Sequence, residues 1–174
     1  MSQMSPVSLP RTGILSYMDD ESRERFASYG RVLSTTAGQV LIRDGEVNYN
    51  LYIVLGGIFR VSTWVKGSEV ILDDVGVGDC LGEVAIFHPD KASATVTSVE
   101  AGQLWSIDAE ALQAFLDEHP GWGCAALLGI NIILSRRLRR ADDVIRANKI
   151  VPGFLSVRAQ KRYETAKLPK REKS

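Results

Sequence analysis

Residues 82–96 read GEVAIFHPDKASATV: a glycine and a carboxylate, then a turn, then a strand of small residues. Glu83, Lys91 and Ser93 place an acid, a base and a hydroxyl along this one stretch, which raises the question of what it is built to hold. Bond-making chemistry has far less support. The only histidines, His88 and His119, stand in a turn and beside Pro120, and neither neighbours a second ligand at metal spacing. A cupin-type metal enzyme would need a clustered His-x-His and a carboxylate, which the sequence lacks. No serine or cysteine has a histidine placed by a nucleophile-elbow or triad pattern. Gly76-Val77-Gly78 lacks the third glycine and the βαβ setting of a dinucleotide loop, so it reads as a turn between strands. Cys80, just ahead of the stretch, reads as a small buried thiol, with oxidant sensing as the alternative. The expectation is a binding protein, with no enzyme activity and no metal.

The elements that must position this stretch follow from the apolar pattern. The chain has 174 residues, enough for one globular unit with a real core. Lysine plus arginine and aspartate plus glutamate both number 21, so no global field draws it to nucleic acid or an acidic surface. The apolar run around Ala125 to Leu134 is broken by Gly129 and Asn131 and is too short to span a bilayer, so no transmembrane segment is expected. Two unpaired cysteines and the lack of a basic, then apolar, N-terminus suggest a cytoplasmic protein.

Residues 1–13, rich in serine, proline and threonine, read as a flexible leader. A short helix follows, opened by Asp19, Asp20 and Glu21 and ending near Gly30. Short apolar runs then alternate with turns, among them Val40–Ile42, Leu51–Leu55, and a hairpin whose tip is Lys66-Gly67. Strands this closely spaced imply a barrel or a double-sheet roll. Helical periodicity returns with Asp108 as N-cap for 109–119, and Pro120 at the first turn opens the longest helix, from about Trp122 to Asn148. The expected fold class is α+β: a jelly-roll-like β-roll, a short N-terminal helix and a C-terminal helix pair. The expected domain covers 14–148, with a basic tail over 149–174.

The runs Ala37-Gly38-Gln39-Val40-Leu41, Asp44-Gly45-Glu46, Leu51 to Gly57, Val75 to Asp79, Gly82-Glu83-Val84-Ala85 and Ser93-Ala94-Thr95-Val96 together resemble the cyclic-nucleotide-binding domain family, the ligand domain of catabolite-activator-type proteins. The resemblance runs from about Leu15 to Asn148 and implies a β-roll with flanking helices. It also implies a ligand, cAMP or cGMP, whose phosphate meets the free amides of a helical turn at Gly82 to Phe87. By the same resemblance Glu83 accepts from the ribose 2′-hydroxyl, while Ser93 and Ala94 offer a hydroxyl and an amide to the phosphate.

One position departs from that pattern. The resemblance places a phosphate-binding arginine at residue 92, and this chain has Ala92. Loss of a forked, charge-assisted contact implies a cost of about 2 to 4 kcal/mol in affinity. Lys91 is the nearest substitute, but neighbouring residues of a strand point to opposite faces, and an ammonium lacks the fork. On the base side the resemblance points to Ala141 and Asp142. Glu83 without the cation is open to a second reading, as a carboxylate that holds the shape of the turn.

Leu127, Asn131, Leu134, Leu138, Ala141 and Ile145 fall at alternating steps of three and four along the last helix, which predicts a homodimer seam. Ile130, Ile133 and Val144 are left to pack on the roll. The residues after Asn148 are too few for a winged helix-turn-helix, so no DNA-binding domain is expected there. The basic run Arg158 to Ser174 reads as a solvated tail or as a weak nucleic-acid or lipid contact. The functional expectation is a dimeric protein-interaction module with a protein partner and weak, lost or redirected nucleotide binding. The alternative is a true cAMP or cGMP sensor whose cation is Lys91 or a distant arginine such as Arg60, Arg139 or Arg140.

Overall fold

The computed structural model describes residues 7–87 and 90–147, with backbone alone at 141 and 144–147. His88, Pro89, Asn148 and the basic tail, with its Val151–Leu155 break, lie outside the described residues. The chain divides into two units, Met1–Leu134 and Ser135–Ser174.

In the first unit a 3₁₀ turn at Gly13–Leu15 leads into helix α1, Asp20–Ala27. Eight strands follow: β1 Arg31–Thr35, β2 Val40–Ile42, β3 Asn50–Gly56, β4 Phe59–Val65, β5 Ser68–Val75, β6 Cys80–Leu81, β7 Thr95–Ser98 and β8 Gly102–Asp108. Helix α2 spans Ala109–Glu118, and α3, Pro120–Ala147, begins in the first unit and continues into the second. The strands form two four-stranded antiparallel sheets, ordered β1-β8-β3-β6 and β2-β7-β4-β5.

Strand β3 shows why its sequence, NLYIVLG, is an almost unbroken apolar run. Leu51 and Ile53 join the cluster shared with the helices, while Tyr52 and Val54 turn into the space between the sheets. A strand buried on both faces has no polar side to alternate with. Each such side chain contributes about 1.5 to 3 kcal/mol on burial. Strand β7 has one covered face, with Val96 and Ser98 buried and Thr95 and Thr97 half-buried, and its sequence TVTS alternates accordingly.

The helices attach through named contacts. Asp19, expected in the first turn, instead caps α1 by accepting from the Ser22 amide at 2.8 Å, and Asp108, as the sequence predicts, caps α2 through the Ala111 amide at 2.8 Å. Phe26 of α1 meets Trp105 of β8 and Phe115 of α2, each at 4.8 Å between ring centroids, and the Trp105 indole donates to the Ala27 carbonyl at 3.0 Å. Helix α3 comes close at Gly129, where a Cβ would lie 1.9 Å from the Ile14 carbonyl oxygen. The glycine that interrupts the apolar run is therefore a packing requirement.

One expectation needs correction, and two further features go beyond what residue order shows. The flexible leader does not extend to Gly13: Leu9 is buried and Val7 packs against the helix-side core. An apolar pair in a Ser/Pro-rich segment is too short to show a period, yet it is enough to dock. The central strand β8, GQLWSID, carries no clean alternation because both of its faces are covered, Leu104 inward and Trp105 and Ile107 toward the helices. Leu134, assigned to the dimer seam, packs partly against the core of its own chain.

Candidate functional site

The connection from β6 to β7 carries the residues singled out at 82–94. At its first end Gly82 has φ +76, and a Cβ there would lie 2.2 Å from the Asn50 carbonyl oxygen and 2.5 Å from Asn48 Nδ2. Only glycine satisfies both the backbone conformation and the close approach. Asn48 Nδ2 donates to the Asn50 carbonyl at 2.7 Å and its Oδ1 accepts from the Asn50 amide at 3.3 Å, so the asparagine pair forms the wall that Gly82 meets. Neither asparagine figures in the sequence reading; their i, i+2 spacing just ahead of an apolar strand is the Asx-turn signal that would find them.

The segment then closes a single helical turn, with the Ile86 amide donating to the Gly82 carbonyl at 3.2 Å. Ile86 anchors the turn in the helix-side core, and Glu83 is only 6% exposed. Val84 and Phe87 face solvent, and Ala85 is half-buried. The turn expected at Gly82 to Phe87 is thus closed, and Glu83 within it is buried.

The other end is built by pairing with the Asp44-Gly45-Glu46 turn. The Gly45 amide donates to the Ala92 carbonyl at 2.8 Å, the Ala92 amide donates to the Glu46 carbonyl at 2.8 Å, and Val47 bridges Lys91. The Asp44 amide donates to Thr95 Oγ1 at 3.1 Å, and Thr63 Oγ1 donates to Asp44 Oδ2 at 2.9 Å. Two segments far apart in sequence are thereby locked together, and the pairing sets which way residues 91 and 92 point. Ala92 packs against the apolar cluster between the sheets, beside Leu33, Leu41 and Val61 as its other half-buried members, and Lys91 is exposed. Ser93 is exposed in a bend, and Ala94 is half-buried.

Of the distant arginines, Arg60 is paired with a carboxylate. Arg60 Nε and Nη2 donate to the two carboxylate oxygens of Asp74, both at 2.9 Å. Asp74 holds Arg60 protonated above its usual range, and Arg60 in turn pulls the Asp74 carboxyl below the usual carboxylate range. Arg139, Arg140 and Asp142 lie in the second unit on α3 and are exposed, and Ala141 is described by its backbone alone. Of the seam residues, Leu127, Asn131 and Leu138 are exposed and Leu134 is half-buried, while the Ile145 side chain lies outside the described residues. Among the described residues no cluster of three or more His, Cys, Asp or Glu side chains is arranged to hold a metal ion. No helix among them is long and apolar enough to cross a membrane.

A family model described as cyclic nucleotide-binding domain matches residues 32–119, from β1 through the end of α2 and including the whole β6–β7 connection. The chain belongs to the cyclic nucleotide-binding domain family. This cyclic nucleotide-binding domain is 25% identical, over 136 residues, to a CRP-like cAMP-activated global transcriptional regulator of Mycobacterium tuberculosis. That match covers 78% of this chain and 59% of the regulator, so the chain spans a little over half of this relative's length. It resembles a cyclic nucleotide-binding domain from Methylobacillus flagellatus KT with a TM-score of 0.72 at 20% identity, over 75% of this chain and 74% of that one. The regulatory domain of Toxoplasma gondii PKA, crystallised with cAMP, matches at 30% identity and a TM-score of 0.55, over 61% of this chain and 41% of that one. The expected α+β roll with flanking helices is the fold of this cyclic nucleotide-binding domain.

Proposed function

We propose that this cyclic nucleotide-binding domain is a non-enzymatic regulatory module that engages a protein partner and pairs with a second copy through α3. In this reading its affinity for cyclic nucleotides is weak, lost or redirected to another ligand. The observation that carries the proposal is the place of Ala92. The side chain at the position where the family resemblance puts the phosphate-binding arginine packs into the apolar cluster between the sheets, and its neighbour Lys91 is exposed. Register, not only residue type, argues against substitution by Lys91: Val47 bridges Lys91 while Glu46 and Gly45 bond Ala92, and successive residues of such a pairing face opposite ways. The arginine at 60 is committed to Asp74. Removing the fork costs about 2 to 4 kcal/mol, or roughly 30- to 1,000-fold in affinity.

The exposed Leu127, Asn131 and Leu138 support a dimer seam on α3, and Asp142 on the same helix is the base-side candidate. The retained shape of the Gly82–Phe87 turn, with Glu83 turned inward, favours the second reading, a true cAMP or cGMP sensor with a cation supplied from Arg139, Arg140 or a second copy.

Calorimetric titration of the purified chain with cAMP, cGMP and a cyclic dinucleotide, repeated on Ala92→Arg, separates the two. The first reading expects no heat with the wild type at micromolar cAMP or cGMP and a measurable isotherm with Ala92→Arg. Low-micromolar or tighter binding of either mononucleotide by the wild type would sink the first reading and establish the second.

A further inference from the structure

Net charge is zero over the whole chain but not within it. Residues 1–134 hold eight lysines and arginines against 17 aspartates and glutamates, a balance of minus nine, whereas residues 135–174 hold 13 against four, a balance of plus nine. The sign changes where the chain divides into its two units. The four acids of the second unit can neutralise at most four of its cations, so the positive excess survives any pairing within that unit. Arg136, Arg139 and Arg140 are exposed on α3, and their i, i+3, i+4 spacing puts them on one face of the helix. Arg136 and Arg139 make no hydrogen bond or ion pair among the described residues, whereas Arg23, Arg43 and Arg60 of the first unit each pair with a carboxylate. Like charges at i, i+4, as in Arg136 and Arg140, weaken a helix. A helix dipole favours cations only in the last turn, and α3 runs on to Ala147. Helix stability therefore does not account for these arginines.

Which anion they meet follows from the rest of the chain. The acids of the first unit are spread over its elements and committed to them: Asp19 and Asp108 cap helices, Asp44 and Asp79 accept hydrogen bonds in turns, and Asp20, Glu46 and Asp74 pair with arginines. Acids used in this way hold the roll together and make a poor counterpart, in a second copy, for a block of cations. A lipid surface would need an apolar face to bury, and Leu138 is the one large apolar side chain described in the second unit. Nine net charges call for a partner of one sign along its length. A phosphodiester backbone supplies that charge at every nucleotide, and the arginine fork matches two phosphate oxygens. Residues 135–147 contain no aromatic side chain on which a base could stack, so the contact is with the backbone and is indifferent to sequence.

We propose that the basic second unit, from Arg136 onward, binds nucleic acid through its phosphate backbone, without reading the bases. The inference uses no residue of the β6–β7 connection. The cyclic-nucleotide titrations can therefore fail without touching it, and the reverse also holds.

The test is fluorescence anisotropy of the full chain with a labelled single-stranded oligonucleotide of about 16 nucleotides. Saturable binding at about 50 mM salt is expected, with the logarithm of the affinity falling linearly with the logarithm of the salt concentration. The double variant Arg136→Gln, Arg139→Gln, at exposed positions where folding is spared, should reduce that slope by about 1.4, two contacts at about 0.7 each. It should weaken an oligonucleotide of unrelated sequence by the same factor. The double variant Arg43→Gln, Lys66→Gln removes two exposed cations of the first unit and should leave the slope unchanged. The proposal is overturned by no binding at low salt, by a slope that the α3 variant leaves intact, or by an equal loss from the two variants. It is also overturned if polyglutamate of the same length binds as tightly, the mark of an acidic protein partner. Binding of phosphatidylserine vesicles but not of the oligonucleotide would overturn it in favour of a lipid surface. Self-association at low salt with no oligonucleotide bound would do so in favour of a second copy.

Discussion

The two ends of the β6–β7 connection are built on different principles. At Gly82–Ile86 geometry does the holding: a left-handed glycine against Asn48 and Asn50, one closed helical turn, and Ile86 seated in the core. At Lys91–Ala94 the backbone pairing with Gly45–Val47 is equally well made, but the side chain it turns inward is a methyl group. The first end retains its shape because the fold needs it whether or not a ligand is bound. At the second end the chemistry can change without disturbing the fold, since Ala92 is also a satisfactory core residue.

Mutations at the two ends should therefore behave differently. The largest effect is expected for Gly82→Val, which places a branched side chain at a positive φ and into the Asn50 carbonyl; a loss of about 4 kcal/mol, read from denaturant unfolding, is the expected outcome. Ile86→Ala should cost about 3 kcal/mol through the cavity it leaves, whereas Val84→Ala, on the exposed side of the same turn, should stay within about 0.5 kcal/mol. If those two variants unfold alike, the turn is not anchored as described.

Ala92→Arg should lower the stability of the unliganded protein by about 1 to 2 kcal/mol, because a guanidinium replaces a methyl group packed against the apolar cluster between the sheets. Under the proposed function, cAMP should reverse that loss in a thermal melt and leave the wild-type midpoint unmoved. Away from both ends, Asp108→Ala should cost about 1 kcal/mol by removing the α2 cap.

The smallest effect is one of pH. Asp19, through its hydrogen bonds from Ser22, and Asp74, through Arg60, both titrate below the usual carboxylate value of 3.8. A depressed carboxyl contributes stability that is complete above its unfolded pKa and is lost as pH falls through the folded one. Acid unfolding should therefore deepen below about pH 4, and Asp74→Asn should flatten part of that fall. An unchanged acid profile in this variant would mean that the exposed Arg60 pair contributes nothing measurable.

Much of the fold was legible in residue order. The Lys66-Gly67 hairpin tip, the Asp108 cap and Pro120 in the first turn of the last helix follow from local chemistry, and each is present. Strand β8 was not legible, because a strand covered on both faces shows no alternation, and Leu9 was hidden in a segment of loop composition. In the candidate site, Gly82 and Glu83 could be picked out by type and order, whereas Asn48 and Asn50 matter only through what Gly82 touches.

Sequence alone determined that residue 92 is an alanine, that β5 carries acids and no lysine, and that the chain has the periodicity of a roll with flanking helices. Tertiary structure decided which way those residues face. Ala92 is turned between the sheets and Lys91 out of them by hydrogen bonds to a turn more than forty residues away, and among the described residues β5 ends the sheet order β2-β7-β4-β5. The physical reason is that local preference acts over a few residues, whereas orientation and exposure are properties of long-range pairing.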